Sequence, residues 1–323
     1  MKFRTEIPTP QFDKKITYDS SMLLMGSCFS SNIHDHLTRL KFNSISNPFG
    51  IVYNPLALSK QINILCSNKE YSFDELQMEN ERWFSFDHHS DFSNTDKNEC
   101  LGQINSNLTA ARQRIKTANY LFITLGTSWV YRLKDSNEIV SNCHKLPAKK
   151  FLKELIPVET METELLSAIS NLKSINPNLS IVFSISPIRH LGDGFFENQV
   201  SKGRLFDTIY RITKEDNQLS YFPAYELVLD DLRDYRFYKS DLVHPSIEAV
   251  EYIWDKFKES FLSLDAVKKV SEVEKLINAS NHRPFNPSSE AHQKFIKSTI
   301  EKMEALNSLN FHKEIERLKS HIC

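Results

Sequence analysis

Four or five short apolar runs, each closed by turn residues and most followed by helical spacing, decide most of what this chain can fold into. Strands buried on both faces of a parallel sheet read as continuous apolar runs, and the helices between them show one-sided amphipathic patterns. Met22 to Gly26 (MLLMG) is the first run, and the following SNIHDHLTRL places Ile33, Leu37 and Leu40 on one helical face. Phe42 to Ser46 reads as a second strand ending at NPFG, and a helix around Leu56 to Cys66 follows. The stretch from Tyr71 to Asn94 reads as irregular and aromatic. A helix over Ile104 to Ala118 leads into Tyr120 to Gly126 (YLFITLG), the strongest buried strand, and then to a hairpin excursion around Lys134 to Asn137. A helix over Val158 to Ile175, a strand over Ser180 to Ser186 stopped by Pro187, and a helix over Gln199 to Thr213 continue the alternation. A last strand near Leu219 to Phe222 and a closing helix over Ser246 to Leu262 complete an α/β domain with a parallel sheet, expected over residues 1–263.

Beyond Leu264 the chain turns rich in Lys, Glu and other polar residues, broken at HRPFNPSS. This predicts a helical extension over 264–323, with Phe295, Ile300 and Met303 of the segment Ser288 to Leu306 facing the main domain or a partner. Glycine is scarce, seven in 323 residues, so each one that follows an apolar run is informative. Gly26 and Gly126 do so, and Gly50 closes NPFG.

The charge balance, 40 basic against 41 acidic residues, offers no electrostatic footprint for nucleic acid. The first fifteen residues carry charges and two prolines where a secretory leader needs an apolar stretch, and no run approaches a membrane span. Five widely spaced cysteines, Cys28, Cys66, Cys100, Cys143 and Cys323, form no CxxC pair. These features predict a chain of the reducing cytoplasm, with no membrane or nucleic-acid partner and no cofactor.

In open parallel sheets ligands bind at the carboxyl ends of the strands. The residues there are Ser27-Cys28-Phe29-Ser30, Asn47 to Gly50, Thr127-Ser128 and Pro187 to His190, while Asp241 and His244 precede the final helix. A Ser or Cys at a strand-to-helix turn lies at the positive end of a helix dipole, which suits a nucleophile. A capping serine and a small buried cysteine produce the same letters. His244 has the chemistry of a general base, with Asp241 three residues earlier fixing its tautomer; a DxxH surface capping pair is the plainer alternative. Arg189 and His190 are expected substrate contacts, the guanidinium suiting a carboxylate or phosphate. His88 and His89, with His144 or His190, would be the candidates for a metal site, but an HH pair points its side chains in divergent directions in extended chain, and no metal is expected.

The set MGSCFS, TLGTSWVY, NCHKLP, SPIRHLGDGF and DLVHPS resembles the GSCFA family, a bacterial group similar to SGNH/GDSL hydrolases, over most of residues 2–260. The resemblance implies a flavodoxin-like three-layer sandwich, a nucleophile in the first motif, and a His with its Asp in the last. The GDS of GDSL enzymes falls on Gly26, Ser27 and Cys28, which puts Cys28 at the nucleophile position. Three readings follow, in this order: Cys28 attacks as a thiolate, Ser27 has taken the role, or ester chemistry has been lost. The resemblance also assigns Gly50 an oxyanion N–H and lays the GxND block on Gly126, Thr127, Ser128 and Trp129, with Ser128 replacing the oxyanion-hole Asn. The expected function is ester hydrolysis or acyl transfer, on a small molecule or an acylated carbohydrate. A non-catalytic ligand-binding or scaffold protein on the same fold is the alternative.

Overall fold

The computed structural model describes residues 4–214 and 216–322; Cys323 lies outside the described residues. Strand β1 (Ser21–Gly26) is followed by α1 (Cys28–Arg39), β2 (Asn43–Ser46) and α2 (Pro55–Cys66). A hairpin of β3 (Gln77–Glu79) and β4 (Arg82–Phe84) precedes α3 (Lys97–Thr117) and β5 (Tyr120–Leu125). An antiparallel excursion of β6 (Trp129–Leu133), β7 (Ile139–Val140) and β8 (Phe151–Leu155) comes next, in the order β7-β6-β8. The chain returns through α4 (Val158–Ile175), β9 (Ser180–Ile185), α5 (Phe195–Lys214) and β10 (Leu219–Tyr221). A short turn α6 (Ala224–Glu226), prolonged by a π turn over Leu227–Asp231, leads to the long α7 (Ile247–Phe261). Helices α8 (Leu264–Ser280), α9 (Glu290–Ala305) and α10 (His312–Lys319) finish the chain.

The central sheet has five strands, all parallel, in the order β2-β1-β5-β9-β10. This is the flavodoxin-like doubly wound order, whose topological switch point lies between β1 and β5. Alternation along the strands divides the core. Leu23, Met25, Leu121, Ile123 and Phe183 face the layer of α2 to α5, while Met22, Leu24, Phe122 and Val182 face α1 and α7. The apolar faces of α8, α9 and α10 join that second cluster through Val270, Val273, Ile296, Met303 and Leu318. Lys41 before β2 also pairs with Glu314 of α10 at 2.8 Å, both side chains largely shielded. Among the described residues no helix is long and apolar enough to cross a membrane.

The differences from the sequence expectation are local. Helix α1 starts at Cys28, ahead of the SNIHDHLTRL stretch, because Phe29 extends the buried stripe of Ile33 and Leu37 by one turn. The Tyr71 to Asn94 stretch is more regular than its composition suggests: β3 and β4 pair, and Trp83 and Asn94 exchange backbone hydrogen bonds of 2.7 and 3.0 Å. Strand β8 is not legible in the sequence because FLKEL fits a helical period as well as a strand one. Phe295, expected on the inner face of α9, is 39% exposed, and Ile296 takes the buried position; Phe295 instead stacks on His292.

One contact sets where the first helix begins. Gly26 pairs with Thr124 at the end of the β1–β5 ladder with φ of +125°, and a Cβ placed on it would lie 2.1 Å from the Thr124 carbonyl oxygen. That oxygen accepts the Ser27 N–H at 3.0 Å, so the chain turns off the sheet against its neighbour's backbone. Only glycine fits, by both space and backbone angle. Gly26→Ala should therefore cost on the order of 3 kcal/mol or more of folding free energy, because the obstruction is main chain. Thermal melting of the variant should show a clear drop, and a wild-type melting temperature would contradict the packing described.

Candidate active site

The turn after β1 gives Ser27 and Cys28 different surroundings. Ser27 is the N-cap residue of α1 but caps nothing: it is 1% exposed, and its Oγ has no hydrogen-bond partner. Cys28, the first helical residue, is half-buried. The first N–H groups of a helix have no carbonyl of their own, and those of Cys28 and Phe29 address the Cys28 sulfur. Burial pushes this thiol up from its ordinary range, and those two N–H groups with the ammonium groups of Lys239 and Lys202 pull the other way without cancelling it.

Lys202 is the most unusual residue of the crevice. It is 1% exposed, and its ammonium donates to the carbonyls of Gly126 and Ser186, both at 2.7 Å. Those carbonyls end the neighbouring strands β5 and β9, so the cation sits at the carboxyl edge of the sheet, one strand over from Cys28. Burial pulls the ammonium down from its ordinary 10.5 to about 7, with the Cys28 thiolate acting to hold its proton. No carboxylate pairs with it among the described residues. The helical spacing of α5 carried a signal that went unread: Lys202 lies three residues before Leu205 and seven before Ile209, on the buried stripe.

Asp241 and His244 stand on the loop that enters α7. Asp241 Oδ1 accepts the N–H groups of Val243 and His244, both at 2.9 Å, and its Oδ2 meets His244 Nδ1 at 2.7 Å. These two N–H bonds, followed by the imidazole contact, hold the carboxyl down at about 2, so it is ionised throughout the working range. Leu242 between them adopts φ of +58°, which closes the loop tightly enough for the pair to meet. Against an ionised carboxylate Nδ1 is the donor, so in the neutral imidazole Nε2 is the acceptor. Both side chains are about half exposed, 48% for Asp241 and 45% for His244. Lys239, on the same loop, donates its backbone N–H to the His244 carbonyl at 2.7 Å, and its ammonium acts on Cys28. Among the described residues no hydrogen bond joins His244 to Cys28 or to Ser27.

The remaining expected residues have other partners. The Gly50 N–H donates to the Asn47 carbonyl at 2.7 Å, closing its own turn instead of standing free. Ser128 is fully buried, and its hydroxyl donates to the Ser201 carbonyl at 3.1 Å, tying the end of β5 to α5. Gly126 donates to the Tyr53 carbonyl at 2.7 Å, and a Cβ on it would lie 3.1 Å from the Tyr53 ring and 3.2 Å from His190 Nε2. His190 is mostly buried and is pulled down to about 4, first by burial and then by Lys202, so its imidazole is neutral at ordinary pH. Tyr53 and His190 wall a cavity of about 330 Å³ between the sheet and the antiparallel excursion, with Asn54, Trp129, Asn142 and Asp193. Cys28 is not in its lining but lies near enough to act electrostatically on the Tyr53 hydroxyl. Tyr53 follows directly from the NPFG strand end, a position the sequence pattern marks but its residue type does not.

His88 and His144 serve packing, while His89 Nδ1 lies 3.0 Å from Asp91 Oδ2. His88 is fully buried among the rings of Phe49, Tyr71 and Phe92, while His144 bonds the Ser85 carbonyl at 3.0 Å and stacks on Phe84. Among the described residues no three His, Cys, Asp or Glu side chains gather as metal ligands do.

The comparisons with known proteins agree with the motif set. The model described as GSCFA family matches residues 21–257, and that described as GSCFA domain protein, C-terminal domain, matches residues 273–322. No curated protein matches the chain. Among solved structures, it is similar to an acetyl xylan esterase from the rumen bacterium Butyrivibrio proteoclasticus, with 10% identity and a TM-score of 0.35 over 81% of this chain and 64% of that one. The chain thus spans less than two thirds of that enzyme's length. With the family model covering strand β1 into helix α7, both halves of the site included, the chain belongs to the GSCFA family.

Proposed function

We propose that this protein is an ester hydrolase that works through a covalent thioester on Cys28, with His244 as general base and Asp241 as its orienting anion. The observation that carries the reading is the Asp241–His244 contact of 2.7 Å, which fixes the tautomer that leaves Nε2 free as a base. In the reaction Nε2 takes the thiol proton as sulfur attacks the ester carbonyl. The developing oxyanion is stabilised by the N–H groups of Cys28 and Phe29 at the positive end of α1. Collapse expels the alcohol, which leaves with the proton from the imidazolium. Water then attacks the thioester with His244 again as base, releasing the acid and restoring the thiol. Cys28 is preferred over Ser27 because the Ser27 hydroxyl is sealed while the sulfur reaches the crevice. The reading requires His244 Nε2 to close onto the sulfur when substrate binds, as catalytic hydrogen bonds tighten in the bound state.

The cavity beside Tyr53, with its Trp and amide walls, suits an acylated sugar as the alcohol or acyl portion. A reducing cytoplasm fits a thiol nucleophile. A second reading, ligand binding without catalysis, is favoured by one specific observation: Gly50 and Ser128, the expected oxyanion donors, already have partners.

Release of p-nitrophenol from activated esters separates the two. Cys28→Ala and His244→Ala should each lose at least about a hundredfold in kcat/KM, and Ser27→Ala should retain most activity. Full activity in His244→Ala, or loss in Ser27→Ala with the fold intact, contradicts the assignment. The buried cation gives a pH test. An unfolded lysine keeps its proton to about 10.5, whereas Lys202 releases it near 7, so between these values the unfolded chain binds more protons and stability rises with pH. From about pH 7 to about pH 8.5, denaturant stability of the wild type should rise relative to Lys202→Met by up to about 1.4 kcal/mol per pH unit. A flat difference would show that the ammonium is not displaced from its ordinary range.

A further inference from the structure

The loop that carries Asp241 and His244 contributes Leu242 to the wall of a second depression. Its volume is about 280 Å³, and Arg189, Leu229, Arg233, Tyr235, Tyr238 and Leu242 bound it together with Asp234. Arg189 comes from the carboxyl end of β9, and Leu242 lies between Asp241 and His244. The depression therefore joins the sheet edge to the base.

Its charge is unbalanced. Among the described residues neither Arg189 nor Arg233 has a carboxylate partner. The one carboxylate on the wall, Asp234, bonds Arg236 at 3.0 Å and caps the Arg236 N–H at 2.9 Å. Arg189 is half-buried, and its Nε is enclosed with no hydrogen-bond partner. An enclosed guanidinium N–H without an acceptor is costly to maintain, and a planar fork of donors is matched by the two oxygens of a carboxylate or phosphate. Tyr238 lines the same depression, and its hydroxyl lies within the field of Arg189. Leu229 and Leu242 give the pocket an apolar side, so it holds a charged head together with a short carbon portion.

We propose that this depression binds an oxyanion carried by the substrate, through Arg189 and Arg233, so that the ester offered to Cys28 is one end of an anionic molecule. That the anion belongs to the substrate rests on the hydrolase reading above; that it binds here does not. The chemistry shared by a carboxylate and a phosphate is a group of two or more anionic oxygens facing a guanidinium pair.

Calorimetric titration of the full chain with inorganic phosphate and, separately, with succinate tests this without turnover. One of the two should bind saturably, and Arg233→Gln should weaken it about tenfold or more, as loss of a charge-assisted bond requires. Tighter phosphate binding assigns a phosphate monoester, tighter succinate binding a carboxylic acid, and either upholds the site. Arg233 is exposed, so its variant tests the site even where Arg189→Gln does not fold. Absence of saturable binding by both anions, or unchanged affinity in Arg233→Gln, overturns the inference. An anion bound by a protein inactive on esters would leave this site standing and remove the hydrolase reading alone; ester turnover with no anion bound would do the reverse.

Discussion

The close approach of Gly26 to the Thr124 carbonyl is the constraint on which the site depends. It brings β1 and β5 together at the switch point of the sheet and turns the chain at once into α1. Because the helix starts within two residues of that contact, its first N–H groups lie over the carboxyl edge. The sulfur of Cys28 takes its position from main chain on both sides, from the strand pairing behind it and the helix ahead. The Asn47 side chain secures the same corner, accepting the Gly26 N–H at 2.8 Å and donating to Ser31 at 3.2 Å.

Against this rigid half, the Asp241–His244 half stands on a loop with exposed side chains and few tertiary ties. The two halves follow different physics. Cys28 is governed by burial, by helix N–H groups and by two lysines, whereas His244 is governed by one carboxylate held in solvent reach. Lys202 links the strands under the crevice; among the described residues no carboxylate pairs with it, and Cys28 is the ionisable group that favours its protonated form. A buried cation placed this way costs stability and is retained where it tunes a reacting group.

The alternation of apolar runs with helical spacing was enough to read the parallel sheet, since MLLMG, YLFITLG and SIVFSIS each became a central strand. Short elements were less legible: FLKEL in β8 and the β3–β4 hairpin are set by cross-strand partners far along the chain, which periodicity cannot register. At the site, motif positions located Cys28, Asp241 and His244 as residues, but not their contacts. The hydroxyl of Ser128 and the N–H of Gly50 resembled free donors because a sequence does not reveal that Ser201 and Asn47 already engage them. Lys202 and Tyr53 went unread for a related reason. A lysine on a buried helical face is a rare choice, and only the two carbonyls it meets explain it.

The central claim is that the acyl group passes through the Cys28 sulfur. Mass spectrometry of the protein quenched in acid during turnover of an activated ester tests it most directly. The account predicts an acyl adduct on the peptide carrying Cys28, labile to hydroxylamine as a thioester is. An adduct on Ser27, or steady turnover with no adduct on Cys28, would contradict it.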